Sequence, residues 1–137
     1  MFDGRLDEDF KLSSGTWVSV GPLRAKLLFH FGHLVQDIVI TAPDRDCVGA
    51  LVFPAPAAQS DPGLRARCEE LFASFAAANP GHSTRVARAM LLDRPPSFEQ
   101  RELTDKGSIN QKAVMLNRAA EVEELYREPP SAHVLAI

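Results

Sequence analysis

The sequence predicts an α+β domain, a small sheet covered by helices with a β-hairpin near its N-terminal end. Three observations predict it. Short β-branched runs alternate with stretches of helical apolar spacing, turn residues separate most of them, and no internal repeat is present. With 137 residues, one domain is expected, long enough to bury a core.

Residues 9–20 read as two short strands around Ser13-Ser14-Gly15, with Phe10 and Leu12 alternating with polar neighbours. Gly21-Pro22 then opens a helix, proline standing where its missing donor costs nothing. Leu23, Leu27 and Phe31 share one face of it, and Gly32 can close it in the left-handed region.

Residues 35–41 and 48–53 are β-rich, and Pro43-Asp44-Arg45-Asp46 between them supplies the turn of an antiparallel pair. Residues 54–60 form a Pro/Ala linker. Asp61-Pro62 starts a second helix, marked by Leu64, Cys68, Leu71, Phe72 and Phe75, and Asn79-Pro80-Gly81 stops it. Residues 86–92 form a third core strand, and 95–104 an exposed loop. Ser108 and Gln111 fit a capping box for a final helix running to about residue 127, before Pro129-Pro130. The central sheet is thus expected to have three strands flanked by helices.

Composition narrows the function. Apolar residues at 45% and charged residues at 24% are globular values. A net charge of −3 argues against nucleic acid as the default partner. No run approaches the roughly 18 apolar residues of a membrane span, and residues 1–5 lack the features of a secretory signal. Neither membrane nor nucleic acid is therefore an expected partner. Cys47 and Cys68 make no disulfide framework, which favours a reducing cytoplasm. The chain opens directly on charged, strand-like sequence, as a cut at a domain boundary would leave it.

Two segments carry chemistry. The first is Asp3-Gly4-Arg5-Leu6-Asp7-Glu8-Asp9-Phe10-Lys11, followed by the Ser14-Gly15 turn; by itself it is a solvated edge before a hairpin. The second is Leu103-Thr104-Asp105-Lys106-Gly107-Ser108-Ile109-Asn110-Gln111-Lys112. A loop lysine just before a capped helix can act as a phosphate clamp, although an exposed loop lysine is the ordinary reading.

Gly4-Arg5-x-Asp7, then Lys11, then Ser14-Gly15 resembles the hinge signature of the adenylate-forming superfamily, which includes acyl-CoA and aryl-CoA synthetases, luciferases and peptide-synthetase adenylation domains. The runs 8–13, 15–21 and 103–107 are most similar to bacterial feruloyl-CoA synthetases, and the resemblance covers essentially the whole chain. It implies that residues 1–137 are a mobile C-terminal lid with a hinge at 4–11. A large N-terminal domain upstream of Met1 would bind ATP, Mg²⁺ and the acid, since no Gly-x-x-x-x-Gly-Lys or Ser/Thr/Gly-rich ATP loop occurs here.

The implied activity is an acid–CoA ligase of feruloyl or hydroxycinnamoyl type, with acyl-adenylate formation followed by thioester formation with CoA. The isolated lid would be inactive, its partners being its own N-terminal domain, an aromatic acid and CoA. By this resemblance Asp7 is the hinge residue, Arg5 lies near the nucleotide ribose, and Lys11 faces the active site in the thioester-forming state. Gly15 would line the pantetheine tunnel, where a side chain would obstruct it. Thr16-Trp17 stands where the family often has a basic residue after that glycine, and one extra residue separates Lys11 from Gly15.

Lys106 matches the adenylation lysine, with Lys and Ser exchanged across Gly107 relative to most relatives; Lys112, in the final helix, is the alternative. Arg24 and Lys26 either meet CoA phosphates or form a solvated helix face. His30 and His33 read as a surface pair rather than a metal site, and Cys68 as core rather than nucleophile. Two other functions remain open: a stand-alone interaction or regulatory module with the same fold, and the lid of a fatty-acid or other aryl-CoA ligase. The coding sequence upstream separates the first, and turnover of different acids the second.

Overall fold

The computed structural model describes residues 10–13, 15–41, 47–79, 81, 86–92, 94–97, 99–103, 109–127 and 134–136. In chain order they form β1 (Phe10–Lys11), β2 (Trp17–Val18), α1 (Val20–Phe31), β3 (Val35–Thr41), β4 (Val48–Pro54), α2 (Leu64–Ala78), β5 (Val86–Leu91), α3 (Gln111–Asn117), α4 (Ala119–Leu125) and β6 (Val134–Ala136). Strands β1 and β2 pair as a separate antiparallel hairpin, and the other four make one sheet in the order β3-β4-β5-β6. Its outer pairs are antiparallel and its central pair, β4 with β5, is parallel. A parallel step needs a crossover, and α2 lies within the one that joins β4 to β5.

The α+β class and the β3–β4 hairpin are as expected, with four central strands in place of three. The added strand, β6, is three residues long, too short to show a period. Helix α1 begins one residue before Gly21, so Pro22 falls at its third position, still within the turn whose N–H groups have no helical acceptor. Gly32 ends it at φ 61°, in the left-handed region. Asp61 precedes α2 without capping it: the N-cap is Gly63, whose N–H donates to Asp61 Oδ1 at 2.8 Å.

The expected final helix is two helices, broken at Arg118 (φ −114°, ψ 37°). Its cap is also different. Asn110 is the N-cap and accepts from Ala113 N at 3.2 Å, whereas Gln111 points inward and accepts from Ile40 N at 2.7 Å. An unpaired donor on the outer edge of β3 attracts the Gln111 amide more usefully than a cap would.

Successive strand residues face opposite sides of the sheet, and each side has its own core. Ile38, Ile40, Ala50, Val52, Ala89 and Leu135 pack with α1, α2 and the hairpin residues Leu12 and Val18. Val39, Leu51, Phe53, Met90 and Val134 pack with Ile109, Val114 and Leu125 on the other side. Every residue of β4 is buried, which gives that strand its continuous apolar run.

One glycine in β4 is fixed by close approach. A Cβ on Gly49 would stand 2.7 Å from Thr41 Oγ1 and Tyr126 Oη, and 2.8 Å from Leu125 Cδ2. The two hydroxyls lie 2.9 Å apart, and Tyr126 donates to the Cys47 carbonyl at 3.0 Å, so neither can easily withdraw. Gly49→Ala is expected to destabilise the domain by about 1–3 kcal/mol through overpacking, read as a lowered urea midpoint with an unchanged slope.

Candidate functional site

The N-terminal hairpin is closed by two backbone bonds, Leu12 N to Thr16 O and Gly15 N to Leu12 O, both 2.8 Å. Gly15 sits at φ 87°, where a side chain is strained, yet a Cβ there would meet nothing within 4 Å. Within this chain the glycine is required by backbone conformation rather than by crowding. Phe10 pairs with Val18 and Lys11 with Trp17. Directly opposed residues share a face. Val18 is buried and Phe10 packs on the α1/α2 core, so Lys11 and Trp17 share the outward face, both exposed.

The second segment is anchored on the opposite core. Leu103 and Ile109 form an isolated antiparallel bridge, and Asn110 N donates to Glu102 O at 2.8 Å. Glu102 itself is fully buried. Arg118 donates from Nε to Glu102 Oε2 and from Nη2 to Oε1, both at 3.0 Å. Ser97 N adds a bond to Oε1 at 2.9 Å, and Asn117 Nδ2 one to Oε2 at 3.4 Å. Arg118 also donates to the carbonyls of Arg94 and Pro95 at 3.2 and 3.0 Å, and its guanidinium lies 4.9 Å from the centre of the Phe53 ring. Burial alone would raise the Glu102 pKa. The hydrogen bonds of Arg118, Ser97 and Asn117, with the Arg118 charge, outweigh it and hold the carboxyl below its ordinary value.

Several expected residues lie outside the described ones: Arg5, Asp7, Lys106 and Ser108, with most of the hinge at 4–11. Lys112 is exposed at the second position of α3. Arg24 is not on a solvated helix face. It is 9% exposed and donates to Asp37 Oδ1 from Nη2 at 2.6 Å and Nε at 3.1 Å, with a further bond from Nε to Ile38 O at 3.1 Å. It ties α1 to β3, and a phosphate would have to compete with a carboxylate for it. Lys26 is exposed.

His30 Nε2 lies 2.8 Å from Ser74 Oγ and 3.0 Å from Leu71 O, and its ring meets Phe31 and Phe75 edge-on, so it joins α1 to α2 instead of facing water as a surface pair with His33. Among the described residues no three His, Cys, Asp or Glu side chains gather as a metal site.

Cys68 is buried, as its place on the apolar face of α2 suggested. Burial pushes its thiol up to about 11, with Arg67 opposing slightly. Since the thiolate is the reactive form, native Cys68 is expected to resist a disulfide reagent at pH 7 and to react fully in denaturant. Counting modified thiols by mass before and after unfolding checks this.

Residues 7–129 match the family described as AMP-binding enzyme C-terminal domain. The chain belongs to that family. No curated protein matches it. Among solved structures, the chain is similar to the A domain of carboxylic acid reductase from Segniliparus rugosus, in complex with AMP and a co-purified carboxylic acid, at 22% identity and TM-score 0.73 over 89% of this chain and 20% of that one. The adenylation domain of the Mycobacterium chelonae carboxylate reductase gives 22% and 0.71, over 89% of this chain and 20% of that one. The A-PCP didomain of the Segniliparus rugosus enzyme in complex with AMP gives 24% and 0.70, over 86% and 17%. At these identities the likeness shows the fold, and the chain spans about a fifth of each matched chain.

In this C-terminal domain, Glu102, Asn117 and Arg118 are the polar residues that sequence reasoning missed. Glu102 and Arg118 are 16 positions apart, and no local pattern links them. The one hint was a charged residue interrupting the apolar spacing of the last helix.

Proposed function

We propose that this domain is the lid of an enzyme that activates a carboxylic acid with ATP and then passes the acyl group to the thiol of CoA, the acid being a hydroxycinnamate such as ferulate. The observation that carries the reading is the separation of its two chemical segments. The hairpin with Lys11 packs on one side of the sheet, and Ile109, which bridges to Leu103 across the lysine-bearing segment, packs on the other. A lid built so offers a partner domain one set of groups at a time, which suits two reactions run in sequence.

In the first reaction an acid oxygen attacks the α-phosphorus of ATP, and pyrophosphate leaves with the electrons of the broken bond. Lys106 is the group proposed to offset charge on the phosphate oxygens as they crowd. In the second, the CoA sulfur attacks the acyl carbon and AMP leaves, with Lys11 facing the site and Gly15 bordering the path of the pantetheine arm. Trp17 offers an indole face beside Lys11. Arg5 is assigned to the ribose and Asp7 to the hinge. Arg24 is assigned to a CoA phosphate only if that phosphate displaces the Asp37 carboxylate it now holds. Magnesium ion accompanying ATP would rest on the large domain, since no described cluster of this chain has the donors for it. The proposed setting is the cytoplasm.

A second reading has one observation in its favour: the similar structures are adenylation domains of carboxylate reductases. The acyl adenylate would then pass to an acceptor other than free CoA. The test joins this domain to its large domain in one polypeptide and supplies ATP, Mg²⁺ and hydroxycinnamates, benzoates or fatty acids. Pyrophosphate release with hydroxycinnamates and CoA thioester as product supports the first reading. Pyrophosphate without CoA consumption supports the second. No release with any acid defeats both and leaves a non-catalytic module.

A further inference from the structure

We infer that the buried Glu102–Arg118 pair is a positioning device that holds residues 102–103 and 109–110, which flank Lys106 in the sequence, and thereby sets the rate of the adenylation step. The inference rests on the reading of Lys106 proposed above.

The pair stands apart from the other described ion pairs. Its side chains are 6% and 0% exposed, whereas Arg24–Asp37 is at 11% and 15% and the remainder are largely in water. Burying two charges is unfavourable unless each is fully bonded, and an apolar pair of the same volume would commonly stabilise as well or better. A charge pair retained under those terms confers geometry. Here the geometry is specific, because Arg118 engages three stretches of chain at once: residues 94–95 through their carbonyls, Glu102 through both carboxylate oxygens, and the α3–α4 break at which it stands.

Glu102 in turn is the last residue before the Leu103–Ile109 bridge, and its carbonyl accepts from Asn110 N, the cap of α3. Residues 103 and 109 are therefore paired beside a residue whose side chain is fixed by Arg118 and whose main-chain carbonyl holds the cap of α3. Asn117, bonded to Gln100 O at 2.9 Å and to Glu102, braces the same base from α3. A side chain misplaced by about 1 Å can lose on the order of a hundredfold in rate, so firm flanks on either side of the proposed adenylation lysine have kinetic value beyond stability.

The test uses Glu102→Gln, which keeps the shape and removes the charge, and Arg118→Lys, which keeps the charge and removes the fork, in the polypeptide that includes the large domain. Hydrogen exchange should quicken tenfold or more at the amides of Glu102 and Asn110, which are bonded to Ser97 O and Glu102 O, with Val39 and Leu51 still protected. The rate of pyrophosphate formation should fall about tenfold with KM for ATP and acid unchanged. Thioester formation from supplied acyl adenylate should stay within twofold. A merely structural pair would loosen the whole domain, and exchange would then rise everywhere with both half-reactions falling together; that result, or no change in either, overturns the inference. Lys106→Ala run in parallel keeps the two readings separate. If it leaves pyrophosphate formation intact the Lys106 assignment fails alone, while the exchange result still judges the clamp.

Discussion

Replacing Lys106 with alanine should slow pyrophosphate formation by about two orders of magnitude or more, the usual cost of removing one charge stabiliser from a closed site. Attack by a carboxylate on a triphosphate brings like charges together, and a positioned ammonium in a water-poor cleft is worth far more there than in solution. The same variant should convert supplied acyl adenylate and CoA to thioester at the normal rate, because that step is proposed for the hairpin side of the lid. Lys11→Ala should show the reverse pattern. The measurement is a pair of single-turnover assays, one for each half-reaction. Equal losses in both would argue for a folding defect, and unchanged pyrophosphate release would transfer the role to Lys112.

The second large effect is on stability. Arg118→Ala should cost about 3–5 kcal/mol, because it strands a buried carboxylate without its partner, and Glu102 has no exposed surface through which to recover water. Replacing both residues with leucine should restore most of that loss, since the desolvation of two charges disappears with them. The pH dependence has a definite sign. Glu102 is held below its ordinary value near 4.5 in the folded protein, so the unfolded chain takes up its proton first. The contribution is full above the unfolded value and is lost as pH falls from there through the depressed folded one. Urea unfolding of the parent and of Glu102→Gln from pH 7 to pH 3 should show the parent losing the larger share.

Much of the fold was legible because its elements announce themselves locally. The β-branched run at 35–41, the apolar spacing through α2 and the glycine at 32 each need only near neighbours to be read. The parallel placing of β5 beside β4 and the short β6 depend on chain segments far apart, and no period records them. The site divides in the same way. Gly15 at positive φ and a core Cys68 follow from turn chemistry and helical spacing. The burial of Arg24 was not legible, because a lone arginine on a helix gives no sign of the carboxylate 13 residues on. Gln111 fitted a capping pattern, and the edge of β3 drew it away instead.

The division of the sheet into two cores, which share only Tyr126 among the described side chains, has a consequence for how such a domain changes over generations. On the proposed reading, substitutions around the hairpin would adapt the lid to a new thiol with little effect on the core that holds Ile109, and the reverse would also hold. Distant sites with no shared neighbours vary nearly independently in their energies. A lineage can therefore keep its way of activating acids while exchanging the acceptor that collects the product. On that view, the split between ligases and reductases among such proteins would need revision on only one side of a four-stranded plate.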